Sequence, residues 1–563
     1  MELSSIFDEY QAKKNIKNKW KILMERVNAI DLSKDIPSNK TYSDFNKKAN
    51  YYVLEDIFIK YYGFDVIVVM PYGKSLNDFR KLLPAIGVVY RGEVIAEYSS
   101  TKSSIYMRCH LQDVDIKEID QIKFNWYSAF ADSKKRNGNG ETFTLSETEK
   151  IFHPTKVDKK GNKELIGYRF KISIPVGLSY DVLEENIVDL NKIFGICSLK
   201  FDDTKNQTSI EIMNTKVPDK EKYEPIKVKP WELYNGMTHA YKAIILNFKL
   251  SPNVLIGGSA GSGKTISMIM SILNLVLSND DNLVNLAICM LSDKQDLRMF
   301  KNIKHCKYYA KDTKSALKEL RYLSREVSRR NKMFDEVDDS GSITNVYEYN
   351  DCHDIKLPLI YFCIDEVASF AVNGAEENKG EIDDKNKCSA LMWKLAREGR
   401  SSGVYCILCT QRGSLSHMTG DIKGNLGNQI CFYFPNTASA LTILGEGELA
   451  SLAIRQKKQR EFIAVADEIY HGKTLYLDSK MVIEYLKPLI EKDKEFMILD
   501  NKGNIIQKED KLLITENQEK PQEIAEKEQK IEGITQNPID FTKKSRESRQ
   551  SKWENFKNKK GYK

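Results

Sequence analysis

The segment Gly258-Ser-Ala-Gly-Ser-Gly263-Lys264-Thr265 constrains the fold of this chain more than any other feature. It satisfies G-x-x-x-x-G-K-[ST], with an apolar run (NVLIGG) before it and a helix-like run (TISMIMSILNLVL) after it. Glycines at these spacings let the backbone wrap its N–H groups around phosphate oxygens, and the N-terminus of the following helix adds positive potential. Gly258, Ser259, Ala260, Gly261, Ser262 and Gly263 are expected to form the cradle. Lys264 is expected to reach the β- and γ-phosphates and Thr265 to ligate Mg²⁺, making ATP and Mg²⁺ the expected ligands. Apolar runs at Asn253–Gly257, Asn285–Leu291, Leu359–Asp365, Val404–Thr410 and Gln429–Phe434 alternate with helical stretches. That pattern predicts an α/β domain with a parallel, RecA-like P-loop NTPase sheet over residues 229–507.

Two further elements complete a hydrolytic constellation. The run LIYFCI delivers Asp365 and Glu366 at a strand end. Asp365 is placed to hold Mg²⁺ through water, and Glu366 to orient or deprotonate the attacking water; a structural helix cap is the competing reading. A kinase of small substrates has no need of the second acid, whereas an ATPase driving motion does. The run VYCILCT ends in Gln411, placed to sense the γ-phosphate. Arg400 lies just ahead of that strand, away from its own phosphate site, and is the candidate for an arginine finger in a neighbour's site, with Arg397 competing.

The chain has 563 residues, enough for three or four units, and 41% hydrophobic residues, enough for sizeable cores. No apolar run approaches the roughly 20 residues of a membrane helix, and the N-terminus (MELSSIFDEYQAKK) lacks the apolar core of a secretory signal. The net charge of +7 permits a polyanion partner without requiring one. Ten cysteines are too sparse for a disulfide scaffold, and the Cys406/Cys409 pair lies in a strand-like run, where core packing is expected.

Residues 1–48 read as a helical packing arm. Residues 49–228 hold an internal repeat, with copies near 50–110 and 167–215. Gly63, Pro71, Gly73 and Ser75 map onto Gly167, Pro175, Gly177 and Ser179 at one constant offset. Each copy is expected to form a small β-α-β-β module, with the polar stretch Lys134–Lys163 between them a mobile insertion. Residues 508–563 are charged, poor in aromatics and basic at the end, and are expected to be a disordered tail.

Several stretches resemble the motor domain of the FtsK/SpoIIIE family of DNA translocases, within the wider HerA–FtsK group. Leu291-Ser-Asp293-Lys294 resembles the family's D-P-K. Glu326-Val-Ser-Arg329-Arg330-Asn-Lys332-Met333 resembles E-x-x-R-R-x-K-M, and Asn345-Val-Tyr-Glu-Tyr349-Asn350 resembles N-x-x-x-Y-N. Arg400-Ser-Ser-Gly403 leading into Thr410-Gln411-Arg412 resembles G-R-A-A-G followed by A-T-Q-R. Asp421-Ile-Lys423-Gly-Asn425 resembles the I-K-A-N loop, and Leu441-Thr-Ile-Leu444 the R-T-I-L helix. The chain departs from the pattern at Gly413, where the family has proline, and at the basic run Ile454-Arg-Gln-Lys-Lys-Gln-Arg460, which replaces a G-D-M-L-Y turn.

The resemblance implies an ATP-hydrolysing DNA translocase that assembles as a ring, expected as a hexamer, on double-stranded DNA. ATP would bind between subunits, with Lys264, Thr265, Asp365, Glu366 and Gln411 from one and Arg400 from the next. Lys423, Arg455, Lys457, Lys458 and Arg460 are the candidate DNA-phosphate contacts. No winged-helix pattern follows the motor, so reading of short DNA orientation sequences is not expected, and no N-terminal membrane span is seen, so a chromosome-partition role at a septum is not expected. A single motor argues against the multi-motor secretion ATPases of the group. The nearest relation is to the coupling proteins of Gram-positive conjugative plasmids and integrative elements (TcpA-like). That implies a cytoplasmic protein, peripheral at the membrane through partners such as a relaxase and channel proteins. A protein-pumping ATPase of the same group, a segregation translocase and a DNA-binding regulator with a vestigial ATPase are the alternatives. Intact Lys264, Glu366 and Gln411 argue against the last.

Overall fold

The computed structural model describes residues 3–27, 52–71, 74–99, 104–112, 114–130, 135–138, 141–157, 159–202, 204–291, 296–337, 341–372, 378–411, 426–456, 460–491, 494 and 496–506. It separates into two units, residues 1–495 and 496–563. In the second unit a bridge joins Leu499 to Ile505. The tail expected over residues 508–563 lies outside the described residues.

Helix α1 (Leu3–Arg26) presents Ile16, Trp20, Leu23 and Met24 at i, i+4, i+7 and i+8, and these are buried in one core with the first sheet. Trp20 Nε1 donates to Tyr52 O at 2.8 Å, and the Tyr90 hydroxyl donates to Ile16 O at 2.8 Å. That first sheet contains β1 (Val53–Lys60), β2 (Gly63–Val69), β3 (Gly92–Ser99) and β4 (Ser104–Leu111) in the order β1-β2-β4-β3. Two short helices, α2 (Leu76–Arg80) and α3 (Leu83–Tyr90), lie between β2 and β3 in sequence. Helix α4 (Glu118–Ala129) leads to a second sheet. Its strands β5 (Thr144–Val157), β6 (Lys163–Ser173), β7 (Ile196–Asp202) and β8 (Gln207–Met213) run in the order β5-β6-β8-β7, with α5 (Tyr180–Glu185) and α6 (Ile187–Phe194) between β6 and β7 in sequence.

The same topology thus occurs twice, but each copy is ββααββ rather than the β-α-β-β unit expected. The extra strands, β1 and β5, are sheet edges with mostly exposed side chains on one face, so neither carries a continuous apolar run. Strand β5 also occupies much of the stretch expected to be a mobile insertion and pairs antiparallel with β6. Ser75 and Ser179, matched in the repeat, both stand at helix N-caps. Ser75 forms a reciprocal capping box with Asp78, whereas the Ser179 side chain makes no cap bond.

The rest of the first unit is built on a ten-stranded sheet. Its strands are β9 (Glu232–Thr238), β10 (Ala243–Asn247), β11 (Val254–Gly257), β12 (Val284–Cys289), β13 (Cys306–Ala310), β14 (Leu359–Ile364), β15 (Val404–Thr410), β16 (Asn428–Phe432), β17 (Glu461–Val465) and β18 (Ile469–Lys473). The order is β10-β9-β18-β17-β16-β11-β15-β14-β12-β13. Strands β16 to β13 of that order are parallel, and β17, β18, β9 and β10 extend them antiparallel. The parallel strands β11, β14 and β15 are buried along their whole length, as strands covered on both faces must be. Helices α7 (Lys264–Ser278), α8 (Thr313–Val337), α9 (Val346–Cys352), α10 (Lys379–Ser402), α11 (Thr437–Leu444), α12 (Gly447–Ala453) and α13 (Ser479–Leu486) accompany the sheet.

An ion cluster built on buried Glu326 and Arg330 ties two of these helices to the central strands. Glu326 on α8 accepts from Arg330 Nε at 2.7 Å and from Arg329 Nε and Nη2 at 2.8 Å. Arg330, only 2% exposed, then donates from Nη1 to Pro358 O, just before β14, and to Ser402 O, at the end of α10. The E-x-x-R-R spacing therefore serves to register α8 against the entry to β14 and the exit from α10.

Candidate nucleotide site

Strands β11, β15 and β14 end side by side. Gly257 registers with Thr410, and Ile364 with Leu408. The loop after β11, Gln411 after β15 and Asp365-Glu366 after β14 consequently share one rim of the sheet, at the carboxyl ends of parallel strands where open α/β sheets bind ligands.

The loop is held from below. Gly258 N donates to Thr410 O, and Ser259 donates from both N and Oγ to Tyr433 O at 2.9 and 3.0 Å. Gly261 and Gly263 have φ of +75° and +115°, a region that residues with a Cβ rarely enter. Helix α7 begins at Lys264, so the N–H groups of its first turn have no intrahelical acceptor and remain available to an anion. Ser262 Oγ is buried in the loop with no hydrogen-bond partner among the described residues.

Lys264 is 4% exposed, with Nζ 3.8 Å from Glu366 Oε2 and 3.5 Å from Asp365 O. Glu366 Oε1 accepts from Ala368 N at 3.2 Å and from Thr410 Oγ1 at 3.1 Å, while Oε2 accepts from Gln411 N at 2.9 Å. Glu366 thus caps the short turn Val367–Phe370 and also fastens the tip of β14 to the tip of β15. The capping reading is thus realised in this carboxylate, which also lies on the same rim as Lys264. Asp365 is buried beside it. A threonine hydroxyl and one carboxylate suit Mg²⁺, which keeps several waters and takes phosphate oxygens as ligands, so Thr265 and Asp365 fit that metal.

A cavity of about 470 Å³ opens on this rim. Its walls are residues 259–266, Gln411, Asp219, Lys220, Arg460 and Tyr476. The last four have no signature in the linear sequence as nucleotide residues. Asp219 and Lys220 arrive because residues 217–223, which follow the second small sheet, pair with the segment after β18. Tyr476 N donates to Glu221 O at 2.7 Å, Tyr223 N donates to Tyr476 O at 2.9 Å, and Asp219 pairs with Lys473.

Of the candidate DNA contacts, Arg455 and Arg460 lie among the described residues. Arg460 N donates to Ser262 O of the phosphate loop, so this residue sits at the nucleotide cavity, not in a free basic loop. Its guanidinium pKa is lowered by burial, against the opposing pull of Asp219 and Tyr476. Arg455 is exposed just beyond α12. Lys423, Lys457 and Lys458 lie outside the described residues. Arg400 is exposed at the end of α10, ahead of the amino end of β15, and donates from Nη2 to Lys249 O at 3.3 Å. Arg397 is exposed one turn earlier and pairs with Glu398. Cys406 and Cys409 are buried on β15; three residues apart on a strand, they point to opposite faces and cannot chelate one ion together.

A parallel sheet that feeds G-x-x-x-x-G-K-T into a helix, with an acid pair two strands away and an amide on the strand between, defines a P-loop nucleoside triphosphatase domain. Residues 232–415 match the FtsK/SpoIIIE family. The chain is 25% identical over 268 residues to the DNA translocase FtsK of Borreliella burgdorferi, covering 43% of this chain and 32% of that protein. It is 22% identical over 454 residues to the DNA translocase FtsK of Streptococcus pyogenes serotype M1, covering 75% and 54%. It therefore spans between a third and about half of the length of these relatives. Among solved structures, the pCW3 conjugation coupling protein TcpA with ATPγS aligns with a TM-score of 0.44 and 19% identity, covering 66% of this chain and 99% of that one.

Proposed function

We propose that this chain is an ATP-driven DNA translocase that works as a ring, expected as a hexamer, and moves plasmid or integrative-element DNA during conjugative transfer. The observation that carries this reading is the convergence of Lys264, Glu366 and Gln411 on one rim, while Arg400 is exposed ahead of the other end of β15. In this scheme Lys264 and the loop N–H groups hold the phosphates, Glu366 orients the attacking water, and the Gln411 amide contacts the γ-phosphate. Arg400 serves the neighbouring subunit. Thr265 and Asp365 would hold Mg²⁺, which when bound neutralises charge on the phosphates. The FtsK relatives are named as DNA translocases, and the family match over the motor supports the same substrate here.

The proposed division is a helical arm over 1–48, paired modules over 49–228, a motor over 229–507 and a tail over 508–563. Among the described residues no helix is long and apolar enough to cross a membrane. Relaxase and channel proteins are the proposed docking partners of a cytoplasmic ring. The test is steady-state ATP hydrolysis with linear duplex DNA, single-stranded DNA or an acidic peptide added. Stimulation by duplex DNA is expected. Stimulation by the peptide alone would replace the DNA reading with a protein-pumping one.

A further inference from the structure

We propose that Arg460 is a second cation of the nucleotide site, binding a phosphate oxygen of the nucleotide beside Lys264. This rests on the reading of the rim as a nucleotide site and adds a residue that reading did not contain. Four observations converge on it.

The first is position. A Cβ placed on Gly263 would lie 2.8 Å from Arg460 Cα and 2.7 Å from its Cγ, so the Arg460 backbone is packed directly on the loop residue preceding Lys264. The second is backbone conformation. Arg460 has φ of +66°, a left-handed conformation that is uncommon for a residue with a long side chain. It is fixed there from both sides, its N–H donating to Ser262 O at 3.1 Å and its carbonyl accepting from Thr474 N at 2.9 Å. Glycine would take this conformation at no cost, yet an arginine stands here, which points to a use for its side chain.

The third is the state of the guanidinium. It lies 5.5 Å from the centre of the Tyr476 ring and donates through Nη2 to the Asp219 carbonyl, a neutral acceptor. Nε is buried with no hydrogen-bond partner among the described residues. A cation with an unsatisfied buried donor in the wall of a phosphate cavity is matched by an anionic oxygen, and a charge-assisted bond to phosphate exceeds a bond to a neutral carbonyl. The fourth is geometry of supply: Tyr476 and Asp219, which hold the guanidinium, line the same cavity.

The test uses the full chain and a fluorescent ADP, with binding read by anisotropy. Wild type, Lys264→Ala, Arg460→Gln and Arg460→Gly are compared. The glycine variant relieves the left-handed backbone, so loss of binding there is not explained by backbone strain. Both Arg460 variants are expected to bind ADP about 10-fold more weakly, the scale of one charge-assisted hydrogen bond. The salt slope for duplex DNA is expected to stay unchanged. Wild-type ADP affinity in both Arg460 variants, with affinity lost in Lys264→Ala, would overturn this inference alone. Failure of the unaltered chain to bind ADP would overturn the nucleotide site itself. Unchanged ADP binding together with a flattened DNA slope would return Arg460 to the DNA surface.

Discussion

The two ends of the parallel sheet differ in kind. At the carboxyl end a buried lysine, an amide and a glycine-lined loop face one cavity, and Glu366, 3.8 Å from Lys264 Nζ, accepts two hydrogen bonds that lock two strand tips together. At the amino end the notable groups are exposed. Arg400 donates to the Lys249 carbonyl, Lys249 lies 4.7 Å from the centre of the Tyr347 ring, and Leu250 is 68% exposed. One end is organised to hold a ligand of its own; the other presents an exposed cation. The contrast teaches why Arg400 is read as acting on a neighbour: a group ahead of the amino end of β15 cannot serve the rim at its carboxyl end.

The largest effect should come from breaking the amino end. Arg400→Ala is expected to lower hydrolysis by about 10³, the lower range for an arginine finger, while leaving ADP affinity unchanged. Mixing it with Lys264→Ala protein should restore part of the activity, because some interfaces then regain both groups. An Arg400 variant as active as wild type, or no rescue in rings shown to be mixed, would remove the role in trans.

Next comes the carboxyl end. Glu366→Gln is expected to cut turnover by about 10²–10³ with nucleotide still bound, since the water loses its orienting carboxylate. Lys264→Ala should instead weaken ATP binding by about 10- to 100-fold, the cost of removing charged hydrogen bonds to phosphate. Calorimetry and steady-state rates on both variants separate the two roles. Equal losses of binding in both would mean that Glu366 acts here only as the fastener of the strand tips.

The smallest effect concerns the basic run that follows α12 in sequence. Replacing Arg455, Lys457 and Lys458 by Gln should lower the salt slope of duplex-DNA binding by up to about 2.7, at about 0.9 for each phosphate that is no longer neutralised. Basal hydrolysis should persist. A slope at the wild-type value would move the DNA surface to Lys423 or to the basic tail.

The phosphate loop, the acid pair and Gln411 were legible because each is a short local pattern on a strand that must be buried. Strands β9, β10, β13, β17 and β18 were not: four of them extend the sheet on its antiparallel side and β13 is its parallel edge, away from the motif-bearing centre. Strand β5 was hidden for a related reason: on an exposed edge, polar residues such as Glu147 and Lys150 cost nothing, so the run reads as a loop. Asp219, Lys220 and Tyr476 reach the cavity only through pairing across some 250 residues of chain, which no window of sequence displays. Arg460 was legible as a cation but was grouped with its neighbours in sequence, whereas its backbone is bonded to the phosphate loop in a left-handed conformation that no linear pattern displays.

The pairing of residues 217–223 with the segment after β18 has a mechanical side. Val217 N is bonded to His239 Nδ1 at 3.1 Å, and Lys216 to Glu461 at 2.8 Å. The leash from Met213, the last residue of β8, to Val217 can therefore stretch to no more than about 14 Å. Beyond that slack, the second small sheet cannot travel without tearing these bonds or dragging Asp219 and Lys220, and with them one wall of the nucleotide cavity.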